Sequence, residues 1–118
     1  MSDAPEARIP ERCAPCRAGD PPLEEALARS YLAQLPSWSR REETLVRSFE
    51  LADFRAALRW LNRMAMLAEE LDHHPDLRLH DYRRVEVVCW THAVGGLALP
   101  DFVLARRIDA LAADEGLP

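Results

Sequence analysis

Lysine is absent from this chain of 118 residues, and all fifteen basic residues are arginine. A need for positive charge would accept lysine too, so the bias reflects genome composition and carries no functional meaning. A basic excess is also missing. The net charge is −5, whereas a nucleic-acid surface needs a basic stripe. Arg55, Arg59 and Arg63 recur every four residues, but acids interleave nearby, so the row reads as a solvated helix face or a subunit contact. Long apolar runs are lacking, and none approaches the ~18 residues of a membrane span. The opening MSDAPEARIPERCAPC has no apolar core, so no secretory signal is expected and the expected compartment is the cytoplasm. Cysteine is sparse and odd in number, at Cys13, Cys16 and Cys89, which argues against a disulfide framework.

What is present describes an ordinary folded chain, 48% hydrophobic and 30% charged, of a size for one domain with one modest core. Residues 1–20 hold Pro5, Pro10, Pro15 and Gly19 with little apolar content. They read as a flexible arm carrying a Cys-x-x-Cys pair, leaving 21–118 as the single domain. Asp20 is placed to cap a first helix with Pro21 and Pro22 in its opening turn, closed by Pro36. Trp38 to Phe49 predicts two short strands around the turn Arg40 to Glu43. Leu45 and Phe49 point inward there, although Val46 and Arg47 blur the alternation. Asp53 opens the clearest helix, with an expected apolar stripe of Phe54, Leu58, Leu61, Ala65, Ala68 and Leu71. Pro75 ends it by His74.

Leu77 to His80 is a candidate short strand. Val85, Val87 and Cys89 alternate with Arg84 and Glu86, the pattern of a strand with one buried face. Gly95 and Gly96 form a turn, and Pro100 starts a last helix with Leu104, Ile108 and Leu111 inside. This order predicts a small α+β sandwich of two layers, with the helices on one face of an antiparallel sheet.

The segment EELDHHPD, Glu69 to Asp76, sets two of only four histidines side by side at a helix end. The unpaired carbonyls there carry partial negative charge, and four acids add to it, so the charge change of these histidines is expected to move up toward neutral pH. His92 ends the following strand and could converge with them. Local physics leaves three readings open. The pair could be structural helix-end residues, part of a proton-transfer constellation, or part of a three-histidine zinc centre. The last is disfavoured because adjacent residues rarely aim at one ion. A Cys89 nucleophile is disfavoured by its expected burial, and no serine sits in an elbow motif. Cys13 and Cys16 could form a redox pair or half a zinc site, but no second pair exists and no thioredoxin-like unit follows.

Glu69-x-x-x-His73-His74-Pro75, Tyr82, Thr91-His92, Gly95-Gly96-Leu97 and Asp101-Phe102 resemble the pterin-4a-carbinolamine dehydratases. So do Trp38, Phe49, Asp53-Phe54, Ala57 and Asn62-Arg63 before them, and the resemblance runs over about residues 20–113. The arm Cys13-Ala-Pro-Cys16-Arg17-Ala18 also looks like a bacterial subgroup that recycles pterin for phenylalanine hydroxylase. The resemblance implies four antiparallel strands with three helices on one face, a homodimer or homotetramer, and no metal or redox cofactor. It implies a lyase that removes water from 4a-hydroxytetrahydropterin, giving quinonoid dihydropterin. By the same resemblance His73 and His92 are the acid/base pair and His74 positions the pterin. Glu69, Asp72, Pro75, Thr91, Ala93 and Asp101 are the implied substrate-binding set, with Glu69 and Asp101 tuning or orienting the histidines. Phenylalanine hydroxylase is an implied partner; nucleic acid and membrane are not.

Three features depart from the family pattern. The loop Asp76 to Asp81 is one residue longer and contains His80. Ala98 stands where a capping serine or threonine is common, and Ala93 where an acid often follows threonine-histidine. The rival reading is a protein-binding module, since relatives include a dimerisation cofactor for a homeodomain transcription factor and Rubisco assembly chaperones. The joint presence of His73, His74 and His92 favours the enzyme. Trp60 and Trp90, expected at the surface, are candidate subunit contacts.

Overall fold

A computed structural model describes residues 8–118; Pro5, the first proline of the expected arm, lies outside them. The elements run α1 (Glu25–Ala33), β1 (Ser39–Arg41), β2 (Thr44–Glu50), α2 (Phe54–Leu71), β3 (Asp76–His80), β4 (Arg84–Cys89) and α3 (Leu99–Asp114), with a single 3-10 turn at His92–Val94. The four strands form one sheet in the order β1-β2-β4-β3, antiparallel at every pairing. Leu45 pairs with Cys89 and Phe49 with Val85 across β2 and β4, and Leu79 of β3 pairs with Val85. Side chains alternate along a strand, so these residues share one face. That face is buried in a single core with Tyr31 and Leu35, with Trp60 and Met64 of α2, and with Phe102 and Ile108 of α3. The result is the expected α+β sandwich, four antiparallel strands covered on one face by three helices. No described helix is long and apolar enough to cross a membrane.

The first helix starts later than Asp20, at Glu25. Each proline pushes the residue before it toward extended backbone, so the chain stays open through Pro22. Leu23 then donates its N–H to the Leu97 carbonyl at 3.0 Å. Asp20 closes a turn instead, accepting from the Arg17 amide at 2.8 Å. By contrast Asp53 caps α2 as expected, its side chain accepting from the Ala56 amide at 2.8 Å.

The inner stripe of α2 is shifted from the expected one. Ala57, Trp60, Met64 and Ala68 are buried, at the three- and four-residue steps of one helix face. Phe54 is 49% exposed and Leu58 41% exposed. Apolar residues occupy two sides of this helix, and the bulkier Trp60 and Met64 decide which side faces the sheet. Trp60, expected at the surface, is therefore core: it is 2% exposed and meets Phe49 edge-on at 5.0 Å between ring centroids. Trp90 is partly buried, and its indole donates to Asp76 Oδ2 at 2.8 Å.

Arg47 explains the blurred alternation in β2. It points inward with Leu45 and Phe49 and is buried, lying over the Phe49 ring with 4.3 Å to the centroid. Its guanidinium donates to Asp109 of α3 and to the Pro118 carbonyl at 2.7 Å. The Trp38 indole donates to the same Asp109 oxygen at 2.7 Å. Asp109 thus holds a buried cation and a buried indole together between sheet and helix.

Candidate active site at the C-terminal end of α2

Helix α2 ends in a left-handed residue, Asp72, at φ 51°. The Asp72 amide donates to the Glu69 carbonyl at 3.3 Å and the His73 amide to the Ala68 carbonyl at 3.1 Å. This pairing is the Schellman pattern, in which glycine is the usual left-handed residue. An aspartate there carries local strain, of the kind that concentrates at functional sites. The reversal sends the next two side chains in different directions. His73 turns inward and is 13% exposed, while His74 is 60% exposed and meets the Glu69 carboxylate through Nε2.

Inward of His73 lies Asp101, which is 0% exposed. Asp101 is the third residue of α3. Its Oδ2 accepts the Ala98 amide at 3.0 Å and the Thr91 hydroxyl at 2.6 Å. Ala98 offers no side-chain cap, so this carboxylate supplies the helix-start bond that the sequence lacks at that position. Oδ1 meets His73 Nε2 at 2.7 Å. A carboxylate that already accepts the Ala98 amide and the Thr91 hydroxyl serves as an acceptor to His73 as well, so Nε2 is assigned the hydrogen of that bond. Nδ1 is then the atom of His73 left to gain and lose a proton.

His92 enters from the other side. It follows β4, where Thr91 bridges to Gly96 and Gly95 closes the 3-10 turn at φ 67°. The imidazole packs on the Trp90 ring with centroids 3.5 Å apart, and Trp90 is itself pinned by Asp76. His73, His74 and His92 line one cleft of ≈ 250 Å³, together with Asp72, Thr91 and Ala93. That is small beside the 300–1,000 Å³ of drug-sized pockets. Glu69 and Asp101 reach the cleft through the histidines they bind, and Pro75 is not part of its lining. His80 lies apart, with Nδ1 3.5 Å from Asp81.

A larger groove of ≈ 340 Å³ runs between α2 and α3 past Arg63, Glu70 and Arg107. It contains no histidine, and Arg107 pairs with Glu70 and Arg63 with Glu115, each at 2.7 Å. The three histidines line the smaller cleft instead. Among the described residues no cluster of three or more histidine, cysteine, aspartate or glutamate side chains is arranged to hold a metal ion. The described part of the arm also reaches this cleft, through Pro15 and Cys16. Composition gave no signal for that contact.

The family model for pterin 4 alpha carbinolamine dehydratase matches residues 21–111. The chain belongs to the pterin-4a-carbinolamine dehydratase family. A relative from Rubrobacter xylanophilus, named as a candidate pterin-4-alpha-carbinolamine dehydratase, is 41% identical over 102 residues, covering 86% of this chain and 94% of that one. A relative of the same name from Chloroflexus aurantiacus is 44% identical over 91 residues, covering 77% of this chain and 97% of that one. Among solved structures, a transcriptional coactivator/pterin dehydratase from Brucella melitensis is similar at a TM-score of 0.70 and 34% identity, over 77% of this chain and 98% of that one. The dehydratase-family match spans every histidine of the cleft.

Proposed function

We propose that the protein is a 4a-hydroxytetrahydropterin dehydratase that works by histidine acid/base catalysis and recycles the pterin of aromatic amino acid hydroxylases. The observation that carries this reading is the convergence of His73, His74 and His92 on one small cleft. In the reaction the C4a–O bond breaks and its electron pair leaves with the oxygen, which takes up a proton and departs as water. The adjacent ring nitrogen gives up its proton, and the freed pair forms the carbon–nitrogen double bond of the quinonoid product. Two groups must exchange protons near neutrality, a task worth roughly 10²- to 10⁴-fold.

His73 is the proposed proton acceptor. Asp101 holds its ring in one orientation through Nε2 and stabilises the imidazolium formed when Nδ1 takes the proton, as a buried carboxylate does for a triad histidine. His92, packed on Trp90 and open to solvent, is left to protonate the departing oxygen. His74, steered by Glu69, positions the pterin. Asp72, Thr91 and Ala93 complete the substrate wall.

The chemistry is proton transfer alone, so the proposed enzyme needs no metal or redox cofactor. Dehydration of enzymatically generated carbinolamine should survive exhaustive chelation of the protein. Loss of activity on chelation, restored by zinc, would replace this mechanism with a metal centre. The free thiols Cys13, Cys16 and Cys89 suit the reducing cytoplasm we propose as its compartment.

A homodimer or homotetramer is part of the same proposal, with α2 as one contact face. Phe54, Leu58 and the 71% exposed Met66 leave apolar surface on that helix. A chain of this length buries only about two thirds of its surface by itself. Light scattering should give a mass of two or four chains at working concentration; one chain mass would refute the assembly. Phenylalanine hydroxylase is the proposed functional partner, as the consumer of the recycled pterin. The name of the Brucella melitensis neighbour, a coactivator as well as a dehydratase, favours a second reading, a protein-binding module on the same fold. An assembly surface alone has no use for three histidines around one cleft.

A further inference from the structure

The arm was expected to be flexible, yet from Arg8 to Asp20 it is laid against the domain. Ile9 is buried in the core, and its amide donates to Gln34 Oε1 at 3.3 Å. The Glu11 carbonyl accepts from Arg107 at 3.0 Å, and Cys13 packs against the core. After the cysteines, Asp20 and Arg17 close their turn, and Leu23 is tied to Leu97 beside the Gly95-Gly96 loop. Anchors on both sides therefore fix the stretch between them. That stretch brings Pro15 and Cys16 into the cleft occupied by the three histidines.

We propose that the arm is part of the substrate site, with Pro15 and Cys16 forming a wall of the pterin cleft that sets how tightly the substrate ring is held. The inference rests on the dehydratase reading and adds to it a contact from residues that precede the span matched by the family model, 21–111.

The chemistry of the wall suits a flat heterocycle. The other sides present three imidazoles, the Asp72 carboxylate and the Thr91 hydroxyl, which serve hydrogen bonds and proton transfer, beside the Trp90 indole and Ala93. Proline and a thiol offer a rigid apolar edge and a polarizable sulfur, which packs favourably against aromatic rings. Burial, followed by the negative charges of Asp20 and Asp101, pushes the Cys16 thiol up from its usual range. Cys13 is raised for similar reasons, burial first and then Cys16 and Asp101. Both stay neutral thiols at pH 7, which favours a packing role over a nucleophilic or redox one.

Two measurements on the full chain test the wall. In dehydration kinetics Cys16→Glu, which puts a charged carboxylate into the cleft, should raise KM at least tenfold with kcat within twofold. Cys16→Ser, nearly the same size and uncharged but without the polarizable sulfur, should raise KM by a smaller factor, about two- to threefold. In wild-type protein at pH 8.5, saturating unsubstituted pterin should slow iodoacetamide alkylation of Cys16 at least fivefold, read by peptide mass spectrometry. The alkylation arm needs no variant to fold. Unchanged KM in Cys16→Glu together with unprotected Cys16, in a preparation that dehydrates carbinolamine normally, overturns the wall and leaves the enzyme standing. A wild-type protein that neither dehydrates carbinolamine nor gains protection from pterin overturns both.

Discussion

Alanine in place of His73 or His92 is expected to lower turnover of the carbinolamine on the order of 10²-fold, about 2.7 kcal/mol in the barrier. Each variant removes one of two proton paths, and water can replace a lost path only in part. His74→Ala should weaken substrate binding at least as much as it slows turnover, because a positioning contact acts in the ground state too. Stability separates the three. His74 and His92 are exposed, and their truncation leaves no cavity. His73→Ala instead leaves Asp101 Oδ1 without its donor, at a cost of roughly 1–3 kcal/mol for a buried acceptor. Dehydration kinetics with circular dichroism and urea unfolding check both halves. Near wild-type rates in all three variants would make the histidines structural and turn the reading toward the binding module.

The largest stability effect should come from a residue far from the cleft. Asp109→Ala is expected to cost about 3 kcal/mol, because it strands the buried Arg47 guanidinium and the Trp38 indole together. Arg47→Met should cost less, on the order of 1 kcal/mol, since a methionine fills much of the space and removes the charge along with its partner bond. Urea unfolding of the two variants gives the comparison. An Asp109→Ala protein within 0.5 kcal/mol of wild type would mean that the Pro118 carbonyl and solvent satisfy Arg47 by themselves, a threshold set by the scatter of ordinary surface substitutions at about ±0.5 kcal/mol.

Where local chemistry decides structure, the sequence was legible. Asp53 before an apolar helix is a capping signal, and Val85, Val87 and Cys89 alternate cleanly. Pro75 stops α2 near the histidines whatever the rest of the chain does. Legibility failed where tertiary packing chooses between local options. Helix α2 carries two apolar sides, and only the sheet opposite selects the one with Trp60 and Met64. Arg47 blurs the alternation of β2 until Asp109, 62 positions later, supplies its partner. At the site, the motif pointed to His73, His74 and His92, but the triple acceptance by Asp101 depends on Thr91 and Ala98 meeting it in space. The arm shows the same limit: its composition suggests mobility, while its anchors are Gln34 and Arg107, far along the chain.

The cleft of three histidines is expected to accelerate loss of water from the carbinolamine. Stopped-flow absorbance on enzymatically generated 4a-hydroxytetrahydropterin tests it directly with the unmodified full chain. Decay to quinonoid dihydropterin is expected at a rate that rises in proportion to protein concentration, well above the spontaneous background. A decay rate equal to that background at every protein concentration would contradict it.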